Sequence, residues 1–245
     1  MAEFVIKVGC RSSQGLRPNN EDRFIVDPDR QVFLVADGMG GQDAGEKASG
    51  LAAEIIPRAV EDHLKAAEDA PSAVRHALDE ANQAIIDASR NQATGRRMGT
   101  TAVVAVRQND QVYVAGLGDS RAYLVRGDRV EQLTMDHTVA DALERNGTLT
   151  HEQARNSPWK NVLYKFLGCV EMTEGPDVRP FAPEAGDRLV LGSDGMTNFV
   201  TSEDLCAGAK QFTNPQEWAD HLVQVALERG SKDNVTCVIV AFDRE

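Results

Sequence analysis

The sequence predicts an α+β fold in which antiparallel sheets are covered by helices. Short runs rich in β-branched residues come in blocks and do not alternate strictly with helices. Two long stripes at helical spacing separate the first block of strands from the second. The chain has 245 residues, 42% hydrophobic and 26% charged, which places it among globular proteins large enough to fold without disulfides or metals.

Runs at 4–8, 24–26 and 32–36 read as strands, separated by the turn residues Gly15, Pro18, Asn19, Asn20 and the Pro28-Asp29 pair. From Ala48, apolar residues recur as Leu51, Ala52, Ile55, Ile56, Ala59, Val60 and Leu64. This is a helix that Pro57 is expected to kink or split. Val74, Ala77, Leu78, Ala81, Ile85 and Ala88 form a second stripe after the Pro71-Ser72 start, so the two predict a helical hairpin lying on a sheet.

Strands resume at 101–106, 112–117, 122–125 and 130–133, close enough for an antiparallel meander. Residues 138–181 break the pattern. Within them Thr150 and Gln153 make a capping box for a short helix, and Pro158-Trp159 opens an apolar stretch. A strand follows at 188–191, and then Thr201 with Asp204 caps a helix through Ala209. Asn214-Pro215 opens a longer helix carrying Trp218, Leu222, Val225 and Ala226, which Gly230 ends, and the last strand spans 235–242. No repeat, linker or low-complexity segment divides the chain. Residues 1–245 therefore read as one domain with an excursion at about 138–181.

Composition excludes several function classes. Lys and Arg number 26 against 38 Asp and Glu, a net charge of −12, whereas binding nucleic-acid phosphates needs clustered cations. Arg96-Arg97 is too small to mark such a surface and reads as a solvated loop. No apolar run reaches the roughly 18–20 residues of a membrane span, and the first ten residues are too short and strand-like for a signal peptide. Cys10, Cys169, Cys206 and Cys237 lie far apart without a C-x-x-C pair, which predicts four buried thiols in a reducing compartment, the cytoplasm.

The informative residues are acids at strand ends. Asp37-Gly38, Asp119 and Asp194-Gly195 each close an apolar run, while Asp233-Asn234 precedes the last strand and Glu21-Asp22 precedes the second. In antiparallel sheets the start of one strand lies beside the end of its neighbour, so these carboxylates can share one edge. Packed carboxylates repel and resist desolvation unless hard divalent cations sit among them, and all-oxygen ligation suits Mg or Mn over Zn or Cu. Asp-Gly is also an ordinary turn dipeptide, so at this level the turn and metal readings both stand. The glycines of Asp37-Gly38-Met39-Gly40-Gly41 let the backbone bend and offer a carbonyl to a metal. A nucleotide-phosphate loop is disfavoured, because neither G-x-x-x-x-G-K-[ST] nor G-x-G-x-x-G after a strand occurs.

Seven motifs occur in order: Arg17-Pro-Asn-Asn-Glu21-Asp22, Asp37-Gly38-Met39-Gly40-Gly41, Gly99-Thr100-Thr101, Gly118-Asp119-Ser120-Arg121, Leu133-Thr134-Met135-Asp136-His137, Ser193-Asp194-Gly195, and Gly230-Ser231-Lys232-Asp233-Asn234-Val235-Thr236. From Gly9 to Val240 the chain resembles the type 2C metal-dependent serine/threonine protein phosphatases, as a compact bacterial member. The resemblance implies an antiparallel β-sandwich flanked by helices on both faces, with two Mn or Mg ions at one end. Asp37 would bridge both ions, and Asp194 and Asp233 would complete one site. Glu21 and the Gly38 carbonyl would serve the other, with Asp22 holding a metal-bound water. Asp119 with Asp194 matches a weaker third metal site. Arg17 would bind the substrate phosphate, and a metal-bridging hydroxide would attack phosphorus without a phosphoenzyme. Phosphorylated proteins would be the substrates, opposing a bacterial Ser/Thr kinase, with no nucleic-acid or membrane partner and a monomeric chain.

The residues fit that chemistry, since phosphoryl transfer asks for positioning and charge neutralisation, and a planar guanidinium suits phosphate better than an ammonium. Some members of the family carry His where this chain has Met39, which cannot donate a proton. His137, beside Asp136 in a turn, reads as structural, as does Arg121 after Asp119. Residues 138–181 correspond to the family's flap, and there Lys165-Phe166-Leu167-Gly168 departs from the Arg-Ala-Leu-Gly of many bacterial members. Ser120, Ser193 and Ser231 lack a paired His/Asp set, which disfavours a serine hydrolase. A pseudo-phosphatase binding module and another two-metal phosphohydrolase are the competing classes. The first is disfavoured because every metal-ligand candidate is present, the second because the chain is acidic and lacks a basic groove.

Overall fold

A computed structural model describes residues 4–41, 43–91, 98–170 and 175–244, so Arg96-Arg97 lies outside the described residues. Two antiparallel sheets face each other. One orders β1 (Phe4–Ser13), β11 (Val235–Arg244), β10 (Arg188–Gly192), β7 (Arg121–Arg126) and β8 (Arg129–Gln132) as β1-β11-β10-β7-β8. The other joins β2 (Asp22–Asp27), β3 (Val32–Met39), β5 (Ala102–Gln108), β6 (Gln111–Leu117) and β9 (Val178–Phe181), while β4 (Gly99–Thr100) pairs with the end of β3.

Strand periodicity builds the layers. On β3, Phe33 and Val35 face the second sheet and meet Leu189, Leu191, Val238, Val240 and Phe242. The alternate Val32, Leu34 and Ala36 face outward onto α1 (Asp43–Lys65) and α2 (Ala70–Arg90). On β11, Cys237 and Ile239 face outward under Met196 of α5 (Asp194–Thr197), Leu205 of α6 (Ser202–Gln211), and Trp218 and Leu222 of α7 (Pro215–Glu228). Both faces of these strands are covered, so they read as continuous apolar runs. The α-β-β-α sandwich expected from the resemblance is what forms.

Several expectations change in detail. The four strands after the helices do not make one meander. β5 and β6 pair in one sheet, β7 and β8 pair in the other, and the chain crosses between them at Gly118-Asp119-Ser120. Gly118 makes the crossing possible with a φ of 93°, and a Cβ there would fall 2.6 Å from Thr101. α1 runs unsplit through Pro57, because the buried stripe of Ala52, Ile56, Ala59 and Val60 outweighs a lost backbone bond costing about 3 kcal/mol. Only Cys237 of the four thiols is buried; Cys10, Cys169 and Cys206 are partly exposed, and none is bridged. The Pro158-Trp159 stretch leaves Trp159 and Val162 exposed, outside any core.

The Thr150–Gln153 and Thr201–Asp204 capping boxes both form, the first on α4 (His151–Arg155). Gly230 closes α7, with Ser231 N–H donating to the Ala226 carbonyl at 3.0 Å. Within 138–181, α3 (Val139–Arg145) precedes α4, and β9 returns the chain to an edge of the sheet, where Arg179 and Pro180 hide the strand pattern. Among the described residues no helix is long and apolar enough to cross a membrane.

Candidate active site

The acids converge because neighbouring strands run in opposite directions. Asp22 opens β2 and Asp37 lies near the end of β3, and the two are direct partners on that ladder. In the other sheet Gly192, ending β10, pairs with Cys237 near the start of β11 and with Arg121 at the start of β7. Asp194 begins α5 just beyond Gly192, Asp233 sits two residues before β11, and Asp119 occupies the crossing between the sheets. Glu21 and the Asp37-Gly38-Met39 segment complete the rim. A cleft of about 490 Å³ opens there, lined by Arg17, Glu21, Asp37, Asp119, Asp194 and Asp233, with Gly38 and Met39 in its wall. A broader groove of about 1340 Å³ shares Arg17, Asp119, Asp194 and Asp233 and runs along residues of the 138–161 segment.

Asp22 lies behind this cleft. Its Oδ2 accepts from the Thr236 hydroxyl at 2.6 Å and the Ser193 hydroxyl at 2.8 Å, and its Oδ1 is buried with no donor. Asp37 is held by its backbone: its N–H donates to Thr101 Oγ1 at 2.9 Å, while the Thr100 hydroxyl and the Thr101 N–H donate to its carbonyl, each at 2.9 Å. Ser120 Oγ bonds Thr101 Oγ1 at 2.7 Å, tying the Asp119 crossing to the same point. Asn234 staples the opposite loop, accepting from Glu21 N–H at 2.8 Å and donating to the carbonyls of Gln14 and Asn19 at 2.9 Å. Two glycines permit the close packing. A Cβ on Gly45 would fall 2.1 Å from Glu21 Oε2, and one on Gly195 would fall 2.0 Å from the Asn234 carbonyl.

Electrostatically the cleft is strained. Burial, reinforced by the charges of Asp22, Asp194 and Asp119, pushes the Asp37 carboxyl well above the usual carboxylate range. Burial raises Asp22 to about 6, against the pull of the Thr236 and Ser193 hydroxyls. Burial and the Asp194 charge raise Asp119 to about 7. Asp194 and Glu21 are also raised, chiefly by burial. Asp194 Oδ1 is a second buried oxygen with no donor. Arg17 is the cation of the smaller cleft among the described residues, donating to Asp233 Oδ2 at 2.5 Å. Partial burial disfavours its charge, but the Asp233 bond and the Asp37 and Asp194 carboxylates outweigh that.

The cleft therefore gathers Arg17, Glu21, Asp37, Gly38, Asp119, Asp194 and Asp233, with Asp22 one layer deeper. His137 is not among them. It is buried, its Nδ1 accepts from Gly118 N–H at 3.2 Å, and burial with the Lys165 and Arg145 charges lowers its pKa to about 4. Arg121 grips Asp136 with Nε at 2.8 Å and Nη2 at 2.6 Å, the structural ion pair expected of it. The hydroxyls of Ser193, Thr101 and Thr236 and the amide of Asn234 carry roles that residue type alone did not assign. Their position beside each acid in the motifs is the signal that could have found them.

An α-β-β-α sandwich with an acidic cleft at one end defines the class to which the molecule belongs. The model for protein phosphatase 2C matches residues 7–146 and 173–235, and the chain belongs to that family. Residues 147–172, most of the excursion, lie outside the match. The serine/threonine phosphatase stp of Listeria monocytogenes is 35% identical over 240 residues, covering 95% of this chain and 94% of its own. The Mycobacterium tuberculosis serine/threonine phosphatase PstP/Ppp superposes with a TM-score of 0.86 at 30% identity, covering 98% of this chain and 99% of that one. The PstP catalytic domain solved with two manganese ions gives a TM-score of 0.83 at 31% identity, over 98% and 100% of the two chains.

Proposed function

We propose that this protein is a metal-dependent phosphatase of phosphoserine and phosphothreonine in proteins, with its reaction centre in the acidic cleft. The observation that carries the reading is the convergence of Glu21, Asp37, Asp119, Asp194 and Asp233 on one cleft beside one guanidinium, with Asp194 Oδ1 buried there without a donor and Asp22 Oδ1 likewise unpaired in the layer behind. Orphaned buried oxygens call for a partner, and an all-oxygen donor set fits hard divalent ions. The phosphatase names of the relatives and the two manganese ions of the PstP domain agree with it.

Asp37, Asp194 and Asp233 would hold one ion, and Asp37, Glu21 and the Gly38 carbonyl the other, with Asp22 supporting the second site from behind. Asp119 with Asp194 would offer a weaker third. Bound Mn or Mg would neutralise phosphoryl charge and activate the attacking water. Arg17, more than half exposed at the junction of the cleft and the groove, would release Asp233 and take the phosphate oxygens through its planar fork. Thr100, Thr101 and Asn234 keep Asp37 and Glu21 from moving as charge develops, so the cleft is organised before substrate arrives. Met39 in the cleft wall has no proton to give to the leaving group.

The wider reading places residues 1–245 in one catalytic domain, since both sheets share the core around Phe33 and Phe242. The segment 138–181 would border the groove that receives the protein substrate. The chain would act as a cytoplasmic monomer, opposing a Ser/Thr kinase, without nucleic acid or a membrane. Purified protein should release phosphate from a phosphothreonine peptide with Mn and stop in EDTA. Full turnover after exhaustive metal removal would refute the reading.

A further inference from the structure

A second group of metal-ligating side chains lies at the far end of the helical layer. α1 starts at Asp43 near the cleft and runs 23 residues, so its last turn lies about 30 Å away at 1.5 Å per residue. His63 sits in that last turn, Glu68 in the connection, and His76 and Glu80 one turn apart on α2. Glu68 lies between the two rings: His63 Nδ1 is 2.8 Å from Glu68 Oε1 and His76 Nδ1 is 2.7 Å from Glu68 Oε2. One ligand atom from each of the three residues falls within 4.8 Å of the others. The turn that presents them is specific. Glu68 N–H donates to the His63 carbonyl at 3.2 Å, and Ala67 takes a left-handed φ of 63°.

His63 faces carboxylates on both sides, because its Nε2 lies 2.8 Å from Glu80 Oε1. Each ring nitrogen of His63 thus faces one acid, Nδ1 toward Glu68 and Nε2 toward Glu80. A divalent ion in place of the Nδ1 proton would leave Nε2–H donating to Glu80. That is the carboxylate–histidine–metal arrangement in which an outer acid fixes the ring tautomer and orientation. Ligands bound at 2.0–2.1 Å in tetrahedral geometry stand about 3.4 Å apart. The three ligand atoms, now within 4.8 Å of one another, would have to adjust to that spacing around an ion, and His76 is the half-exposed member of the set.

We propose that His63, Glu68 and His76, supported by Glu80, form a site for one divalent transition-metal ion of the zinc class that clamps the α1–α2 connection. Two imidazoles and one carboxylate favour Zn, Ni or Cu, in contrast with the all-oxygen cleft that suits Mg or Mn. One chain would thus sort two kinds of ion to two ends of the molecule. A site formed only when both helices are in place stabilises the folded chain by mass action.

The test uses the intact protein with its cleft saturated by Mg, titrated with zinc chloride by calorimetry and followed by thermal melting. The wild type should bind one more Zn per chain than the His63→Asn/His76→Asn double variant. Stoichiometric Zn should raise the wild-type melting temperature by several degrees and leave the variant unmoved. Cobalt should give visible absorption of a four-coordinate site in the wild type alone. Should the double variant fail to fold, His76→Ala, at a half-exposed position, carries the comparison, and its Mn-supported phosphatase rate should equal wild type. Equal Zn uptake and equal melting shifts in wild type and variants would overturn the site and leave a hydrogen-bonded His–Glu–His bridge.

Discussion

Asp22 and Asp37 are direct partners across the β2–β3 ladder, yet only Asp37 lines the cleft. Like charges opposite one another destabilise a sheet, so this pair marks a place where the fold gives up stability for chemistry. Asp22 is secured from behind by Thr236 and Ser193, and Asp37 from its backbone by Thr100 and Thr101.

Replacing Asp37 by Asn should therefore separate stability from activity. Removing one buried negative charge should raise the melting temperature in EDTA by roughly 2–4 °C, about 1 kcal/mol for a chain of this size. The same variant should lose at least about 100-fold in kcat with Mn. Melting curves in EDTA and phosphate release with Mn check both halves. A variant that is both less stable and fully active would contradict the role given to Asp37.

Stabilisation by manganese should depend on pH with a definite sign. Asp22 and Asp119 have folded pKa values raised to about 6 and about 7, above their unfolded values. Their contribution to the metal-free fold is full at pH below about 3.9 and is lost as pH rises through 6 to 7. Metal binding needs the ionised carboxylates. The difference in melting temperature between Mn and EDTA samples should accordingly shrink steadily as pH falls from 7.5 to 5. Measuring the difference cancels groups outside the cleft, such as His137.

Thr236→Val should weaken metal binding without touching a ligand. It removes the 2.6 Å donor to Asp22 Oδ2 and leaves Ser193 to hold that carboxylate alone. Loss of an outer-shell donor typically costs 10- to 100-fold in metal affinity, so the Mn concentration for half-maximal activity should rise about tenfold. Saturating Mn should restore most of kcat.

Arg17→Ala should act on substrate and spare the metals. Arg17 pairs with Asp233, so its removal frees a candidate ligand and leaves Mn affinity unchanged or slightly tighter. KM for a phosphothreonine peptide should rise about tenfold or more, and Arg17→Lys should recover only part of it, because an ammonium cannot make the planar two-point contact. Calorimetry showing lost Mn binding would refute the assignment.

Much of the fold was legible from local pattern. The helical hairpin, both capping boxes, the Asn214-Pro215 start and the last strand all follow from residues within a few positions of each other. β4, α3, α5 and β9 escaped, and so did the change of sheet after β6. β9 has only four residues, and the alternation is broken by Arg179 and Pro180 at an exposed edge. The split of β5–β6 from β7–β8 hides at Gly118, since a pattern of four strands does not say where a chain changes sheets. The His63–Glu68–His76 group was equally invisible, because its spacing acquires meaning only when α2 folds back along α1.

Amphipathic period, turn chemistry and the acids at strand ends are properties of neighbouring residues, and the sequence by itself determined them: an α+β chain with Asp37, Asp119, Asp194 and Asp233 placed where strands begin or end. Which acids face solvent, which lie buried with an oxygen unpaired, and which hydroxyl answers each were decided only by the tertiary structure. Desolvation and hydrogen bonding between residues some 200 positions apart, as between Thr236 and Asp22, depend on how two sheets close over a shared core.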